Sequence, residues 1–243
     1  MHVVGIIPAR FASSRFPGKP LIDLKGKSMI QRVYEGASKS DLITELIVAT
    51  DDERIYSEVK RFGGKVVMTS QQHQTGTDRC AEVVNSIEFA DVVINIQGDE
   101  PLVDFRQLNQ LIEVFKSDEV DIATLASRNI NLEDLQNPNR IKVVLDNNNK
   151  AIYFSRSAVP NAANLREDPL NYYPYLRHIG LYGFRTNIIK EITQLAPTLL
   201  EQTESLEQLR WLYYGYAIHV VETAIETPNI DTPEDISKVL ELL

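Results

Sequence analysis

The sequence predicts an α/β fold, a doubly wound, mostly parallel mixed sheet flanked by helices, and three observations carry that expectation. Short β-branched runs at residues 3–7, 46–50, 65–68 and 92–96 are too brief for helices and read as buried strands. Between them, residues 28–40, 52–62 and 77–89 repeat apolar side chains at three- and four-residue steps, the pattern of amphipathic helices. The resulting β-α-β-α-β order calls for parallel strands joined by right-handed crossovers.

Beyond Asp104 the pattern changes. A helix to about Lys116 precedes strand-like runs at 122–126, 141–145, 151–154, 178–184 and 218–222, several of them too closely spaced for a crossover helix. Asp146-Asn147-Asn148-Asn149 reads as a hairpin turn, so the sheet is expected to become mixed here. Helices are predicted at 187–195, 205–214 and 233–242, and residues 161–174 read as a variable loop. With 243 residues and no linker-like stretch, one domain spanning 1–243 is expected.

Composition narrows the functional classes. A hydrophobic share of 43% and a charged share of 24% are those of an ordinary globular chain, which argues against disorder. Cys80 is the lone cysteine and cannot form an internal disulfide. The four histidines lack zinc-ligand spacing. The first apolar run breaks at Pro8, short of a signal or membrane segment, so a cytoplasmic location without membrane partners is expected. The net charge is -9, yet residues 1–32 carry six cations against Asp23 alone. A concentrated basic segment in an acidic chain suits a small polyphosphate better than nucleic acid, for which no stacked-aromatic or groove-helix pattern is present.

Ligands of open α/β sheets bind beyond the carboxyl ends of the strands. After the first strand, residues 8–20 hold Arg10, Ser13, Ser14, Arg15, Gly18 and Lys19, a loop able to grip phosphate oxygens and stabilise a leaving pyrophosphate. A merely solvated basic loop fits the composition equally well. Gly26-Lys27-Ser28 is not a P-loop, since the glycine required five positions earlier is Leu21, and no Gly-x-Gly-x-x-Gly occurs. After the fourth strand, Gln97-Gly98-Asp99-Glu100-Pro101 places a carboxylate where Mg²⁺ and phosphates could meet, or simply makes a turn. Thr232, Pro233 and Asp235 suffice to start a helix, which leaves Asp231 available as a second metal ligand.

These residues resemble the sugar nucleotidyltransferases that activate acidic sugars, and above all the Kdo cytidylyltransferases. The likeness begins in the loop 8–21. It continues in order through Ala49-Thr50-Asp51, residues 73–79, 97–101, 142–146, Tyr153-Phe154-Ser155-Arg156, Arg177-His178-Ile179-Gly180, residues 206–210 and 231–235. The resemblance implies a nucleotide-diphospho-sugar transferase-like fold and a homodimer. It also implies a division of labour, with 1–103 mainly binding nucleotide and 104–243 mainly binding sugar and forming the dimer. The implied reaction is transfer of CMP from CTP to the anomeric hydroxyl of Kdo, with Mg²⁺ as cofactor, in lipopolysaccharide synthesis.

Matched by position, Arg10, Ser13, Arg15 and Lys19 would contact CTP phosphates, with Arg15 and Lys19 stabilising the leaving group. Thr75, Gly76, Thr77, Arg79 and Gly98 would lie near the nucleotide. Gln97, Arg156, His178, Tyr182, Glu207 and Gln208 would line the sugar pocket, Arg156 and His178 meeting the Kdo carboxylate. Asp99 and Asp231 would hold the metal. From the residues alone, His178 and Tyr182 fit an ordinary strand face, Glu207 and Gln208 a solvated helix face, and Cys80 a buried small side chain. Arg140 stands where the family pattern has a small or apolar residue, and 161–174 does not match; both bear on sugar preference and dimer contacts. The alternatives are the same chemistry on 8-amino-Kdo or a sialic acid, and a CTP-binding module without turnover.

Overall fold

The β-branched run after His2 forms the first strand, β1 (Val3–Ala9), which is buried along most of its length. In this computed structural model the described residues are 1–12, 16–164, 168–230 and 232–243. A small hairpin of β2 (Asp23–Leu24) and β3 (Lys27–Ser28) leads into α1 (Met29–Ala37), whose first turn is capped by the Ser28 hydroxyl accepting from Gln31 N. The alternation then runs β4 (Glu45–Thr50), α2 (Glu53–Arg61), β5 (Val66–Met68), α3 (Gly76–Ser86), β6 (Val92–Asn95) and α4 (Phe105–Glu113). The second half holds β7 (Ile122–Ser127), α5 (Leu132–Gln136), β8 (Lys142–Leu145), β9 (Ala151–Ser155), α6 (Pro169–Tyr172) and β10 (Leu176–Arg185). It ends with α7 (Thr186–Ile192), α8 (Leu199–Glu204), α9 (Gln208–Tyr213), β11 (Ile218–Glu222) and α10 (Asp235–Leu242).

The large sheet runs β11-β7-β10-β6-β1-β4-β5, with β8 and β9 branching from β10. β5, β4, β1 and β6 are mutually parallel, as are β7 and β11. β10 is antiparallel to β6, β7 and β8 and joins the two parallel blocks. The expected mixed sheet is therefore present, and its mixing comes chiefly from one long central strand. Apolar side chains pack on both faces, one core lying under α1, α2 and α4 and the other under α3, α7 and α9.

Two features of this topology position a site. β1 has β4 on one side and β6 on the other, so the winding direction reverses there and a crevice opens beyond the carboxyl ends of β1 and β6. Within β10, Ile179 is opposite Leu125 while Tyr182 is opposite Thr124, which bulges Gly180 and Leu181 out of the ladder. Thr124 fills the gap, its hydroxyl lying 3.1 Å from the Ile179 carbonyl and 2.8 Å from that of Leu181. The last helix begins later than the predicted start at 233: Thr232 N donates to the Asp235 carboxylate at 3.0 Å, forming a turn before α10.

Candidate active site

The crevice holds two adjoining cavities of about 330 and 340 Å³ that share Gln97 and Asp99. The first lies beyond β1 and is lined by Pro8, Ala9, Arg10, Lys19, Gln74, Thr75, Gly76 and Arg79 together with Gly98. The second lies under the β10 bulge, where Arg140, Arg177, His178, Tyr182 and Gln208 face the shared pair.

In the first cavity the amino-terminal turn of α3 supplies Thr75 and Gly76, and its dipole and unpaired amides favour an anion. A reciprocal capping box fixes that turn: Thr75 Oγ1 accepts from Asp78 N and the Asp78 carboxylate accepts from Thr75 N, both at 3.1 Å. The basic loop is closed by Gly18 N donating to Phe11 O at 2.9 Å, with Gly18 at a φ of 73° that favours glycine. Arg10 is exposed at the rim. Lys19 reaches inward, its Nζ 2.8 Å from Asp99 Oδ2, with side chains 12% and 34% exposed. Ser13 and Arg15, expected on the phosphates, lie outside the described residues. Arg79 lines the cavity but is only 3% exposed, and its guanidinium is paired with Asp51 at 2.7 Å and bonded to the Thr69 hydroxyl.

Gly98 allows β1 and the segment after β6 to close together. A Cβ there would lie 2.8 Å from Pro8 O. Gln97 spans the seam, donating from Nε2 to the carbonyl of Gly180 in the bulge at 2.8 Å.

In the second cavity, burial pushes the His178 imidazole down to about 3, with Arg177 adding a smaller effect, so the ring is neutral at physiological pH. It lies 3.0 Å from the Thr124 hydroxyl and packs edge-on against Phe154, with the Tyr182 ring centroid 5.3 Å away. The Tyr182 hydroxyl is buried and, among the described residues, makes no hydrogen bond of good geometry; burial raises its pKa well above the ordinary value, with the Glu207 charge adding to this and the neighbouring Thr124 hydroxyl opposing it. Gln208 lines the cavity and is buried.

Three expected contacts sit behind the walls. Thr77 is buried and donates to Glu207 Oε2 at 2.8 Å, tying α3 beneath the first cavity to the start of α9 beneath the second. Glu207 is thus no solvated helix position; burial raises its pKa while the bonds from Thr77 and Thr75 oppose that. Arg156 spends its guanidinium on backbone carbonyls, those of Glu204 at 2.6 Å, Pro138 at 2.9 Å and Ser205 at 3.2 Å. Conversely, Arg177, Arg140, Asn139, Thr227 and Asn229 line the second cavity without having been singled out as sugar contacts. Arg177 directly precedes His178 in a quoted motif, the signal that could have found it.

The residues suit a divalent cation of the magnesium type. Mg²⁺ takes one or two protein carboxylates and completes its shell with phosphate oxygens and water. Asp99 is such a carboxylate, part-exposed at the seam where a phosphate from the first cavity would arrive. Ile230 N donates to Asp99 O at 3.1 Å, so the chain entering position 231 runs beside it. Asp231 itself lies outside the described residues.

A doubly wound sheet with an anion-binding cavity at its switch point, joined through one carboxylate to a second polar cavity, defines a nucleotidyltransferase-class protein. A profile of the cytidylyltransferase family matches residues 4–225. A 3-deoxy-manno-octulosonate cytidylyltransferase of Porphyromonas gingivalis is 49% identical over 100% of this chain and 96% of its own length. One of Fusobacterium nucleatum is 46% identical over 100% and 97%. The structure of a CMP:2-keto-3-deoxy-manno-octonic acid synthetase complexed with CTP superposes with a TM-score of 0.93 at 42% identity, covering 100% of this chain and 98% of that one. A 4-diphosphocytidyl-2C-methyl-D-erythritol synthase from Anaerococcus prevotii, 13% identical with a TM-score of 0.65 over 99% of this chain and 97% of that one, shares the fold alone. The chain belongs to the cytidylyltransferase family, among the 3-deoxy-manno-octulosonate cytidylyltransferases. Among the described residues no helix is long and apolar enough to cross a membrane.

Proposed function

We propose that this chain transfers CMP from CTP to the anomeric hydroxyl of Kdo, giving CMP-Kdo and pyrophosphate for lipopolysaccharide synthesis. The observation that carries the reading is the meeting at Gln97 and Asp99 of two polar cavities, one lined by Arg10, Lys19 and the amino terminus of α3 and the other by His178, Tyr182 and Gln208. A donor and an acceptor held on either side of that seam are oriented for direct displacement, without a covalent enzyme intermediate.

In this reading the triphosphate occupies the first cavity, with Arg10, Lys19 and the α3 amino terminus offsetting its charge, and Ser13 and Arg15 completing the grip. The sugar occupies the second, where the Tyr182 hydroxyl, neutral His178 and Gln208 meet its hydroxyls. The anomeric oxygen attacks the α-phosphorus, a new P–O bond forms, the bond to pyrophosphate breaks, and the hydroxyl proton passes to solvent. Lys19 exchanges its Asp99 partner for the phosphates of CTP when CTP binds, which frees the carboxylate before the attack and leaves the ammonium beside the departing pyrophosphate. Mg²⁺, held by Asp99 and Asp231, would acidify the hydroxyl and neutralise the α-phosphate.

The same reading makes the chain a cytoplasmic enzyme, supported by its single buried thiol, and a homodimer, supported by the exposed apolar Ile152 and Tyr172 of the middle region. It also assigns 1–103 mainly to nucleotide and 104–243 mainly to sugar and dimer contacts.

Pyrophosphate release with CTP and Mg²⁺ tests the reading, run with Kdo, 8-amino-Kdo, sialic acid or no sugar. Release that requires CTP and Kdo together is expected. Release only with another sugar acid would move the specificity, and CTP binding without release under any condition would make the chain a nucleotide-binding module.

A further inference from the structure

We propose that Arg54 is a positioning residue for the basic loop: it stacks on Phe11 and so holds Arg10 and Lys19 where CTP meets them. The inference rests on the reading that the first cavity takes the triphosphate. The Arg54 guanidinium carbon lies 3.2 Å from the centroid of the Phe11 ring. Phe11 in turn meets Gly18 twice. Its carbonyl accepts from Gly18 N at 2.9 Å, and a Cβ on Gly18 would lie 3.1 Å from Cε2 and Cζ of its ring. Arg10 directly precedes Phe11 and Lys19 directly follows Gly18, so two cations that line the cavity flank the two residues that close the loop. A contact that fixes Phe11 therefore fixes the backbone from which both cations project.

Arg54 is prepared for this role by its own neighbours. Asp52 accepts from Arg54 Nε at 2.9 Å through Oδ1 and from Nη2 at 2.7 Å through Oδ2, a two-pronged grip. The same carboxylate caps α2, accepting from Arg54 N at 2.9 Å. A side chain 59% exposed would ordinarily lose rotamer freedom on stacking, but here the carboxylate has already restricted the planar fork that suits an aromatic face. Among the described residues Arg54 lines neither of the two cavities; it borders a separate groove with Leu21 and Ser57, so it acts through Phe11 and not by touching the nucleotide. The preceding residue, Asp51, pairs with Arg79 on the cavity wall. Consecutive carboxylates after β4 thus anchor two parts of that wall, one through Arg79 and one through Arg54 and Phe11.

Calorimetric titration of the wild type, R54A and D52N with CTP in the presence of Mg²⁺ tests the inference without any sugar acceptor. A stacked cation at an exposed site is worth a factor of about two to five, and R54A is expected to raise the Kd for CTP by that factor. Pyrophosphate release should show kcat at saturating CTP and KM for Kdo in place, the pattern of lost uniform binding. D52N keeps a capping oxygen for α2 but loosens the grip on Arg54, so it should also weaken CTP binding, by a smaller factor. Charge alone predicts the opposite sign, because D52N removes a negative charge that repels a triphosphate. In an F11L background, which lacks the ring, R54A should do no further harm; the other two variants carry the test if F11L does not fold. R54A with the wild-type Kd, D52N binding CTP as tightly as the wild type or more so, or an R54A loss undiminished in F11L overturns the inference alone. A wild type that binds no CTP overturns the reading of the first cavity, and this inference with it.

Discussion

Gly98→Ala is the smallest change that should separate the two cavities. The added Cβ would lie 2.8 Å from Pro8 O and 3.7 Å from Ile7 Cγ2. A carbon and a carbonyl oxygen settle at about 3.3–3.6 Å, so β1 and the segment after β6 must part by roughly half an ångström. Neither neighbour yields easily, because Pro8 is locked in the sheet opposite Ala49 and the added methyl meets backbone. An overpacking cost of about 1–3 kcal/mol follows, small enough for the fold to survive. The catalytic cost arises because Pro8 and Asp99 both line the first cavity, one on β1 and the other on the segment after β6. A misplacement of about 1 Å can cost on the order of a hundredfold in rate, so half that distance should cost about tenfold in kcat. Urea unfolding and pyrophosphate release on the same preparation give both numbers. A variant with wild-type kcat, or one whose rate loss is fully explained by an unfolded fraction, refutes the idea that this backbone approach sets the alignment.

Two further outcomes are expected. Arg156→Ala should lower stability by about 1–3 kcal/mol in urea titrations by leaving three carbonyls without their donor, with KM for CTP unmoved; unchanged stability with a raised sugar KM would make Arg156 a direct contact. His178 refuses a proton that the unfolded chain accepts, so its stabilising contribution is complete above the ordinary histidine pKa of about 6.5 and declines as pH falls toward about 3. His178→Gln should therefore flatten the acid limb of stability against pH, and an equally steep limb in the variant would assign that proton uptake elsewhere.

Much of the fold was legible because burial wrote it plainly. β4 and β6 lie inside the sheet as apolar runs, and α2 keeps a polar outer face, so their positions were recoverable to within a residue or two. His178 and Tyr182 were expected on one face from strand alternation. The bulge between them inserts two residues, which preserves that parity, and their rings meet. α8 was missed despite a usable signal, since Thr198 and Glu201 form a capping box at a short helix with little apolar periodicity. At the site, the residues on loops after β1 and β6 were readable from position. Sequence did not disclose where a cation spends its charge. Arg156 and Arg140 are equivalent as letters, and only the carbonyls around the first and the cavity beside the second tell them apart.

The central antiparallel strand also constrains how the chain must be made. β6 has β1 on one side from the outset, but its other edge is completed by β10, which begins only at Leu176. During synthesis the first half therefore waits with an apolar strand edge unpaired until Tyr182–Arg185, the part of β10 that pairs with β6, has emerged, a state open to misassociation. β7 also needs β10 before it is joined to that block. The two parallel blocks cannot mature in turn, and a chain released before residue 185 lacks the complete strand that joins them.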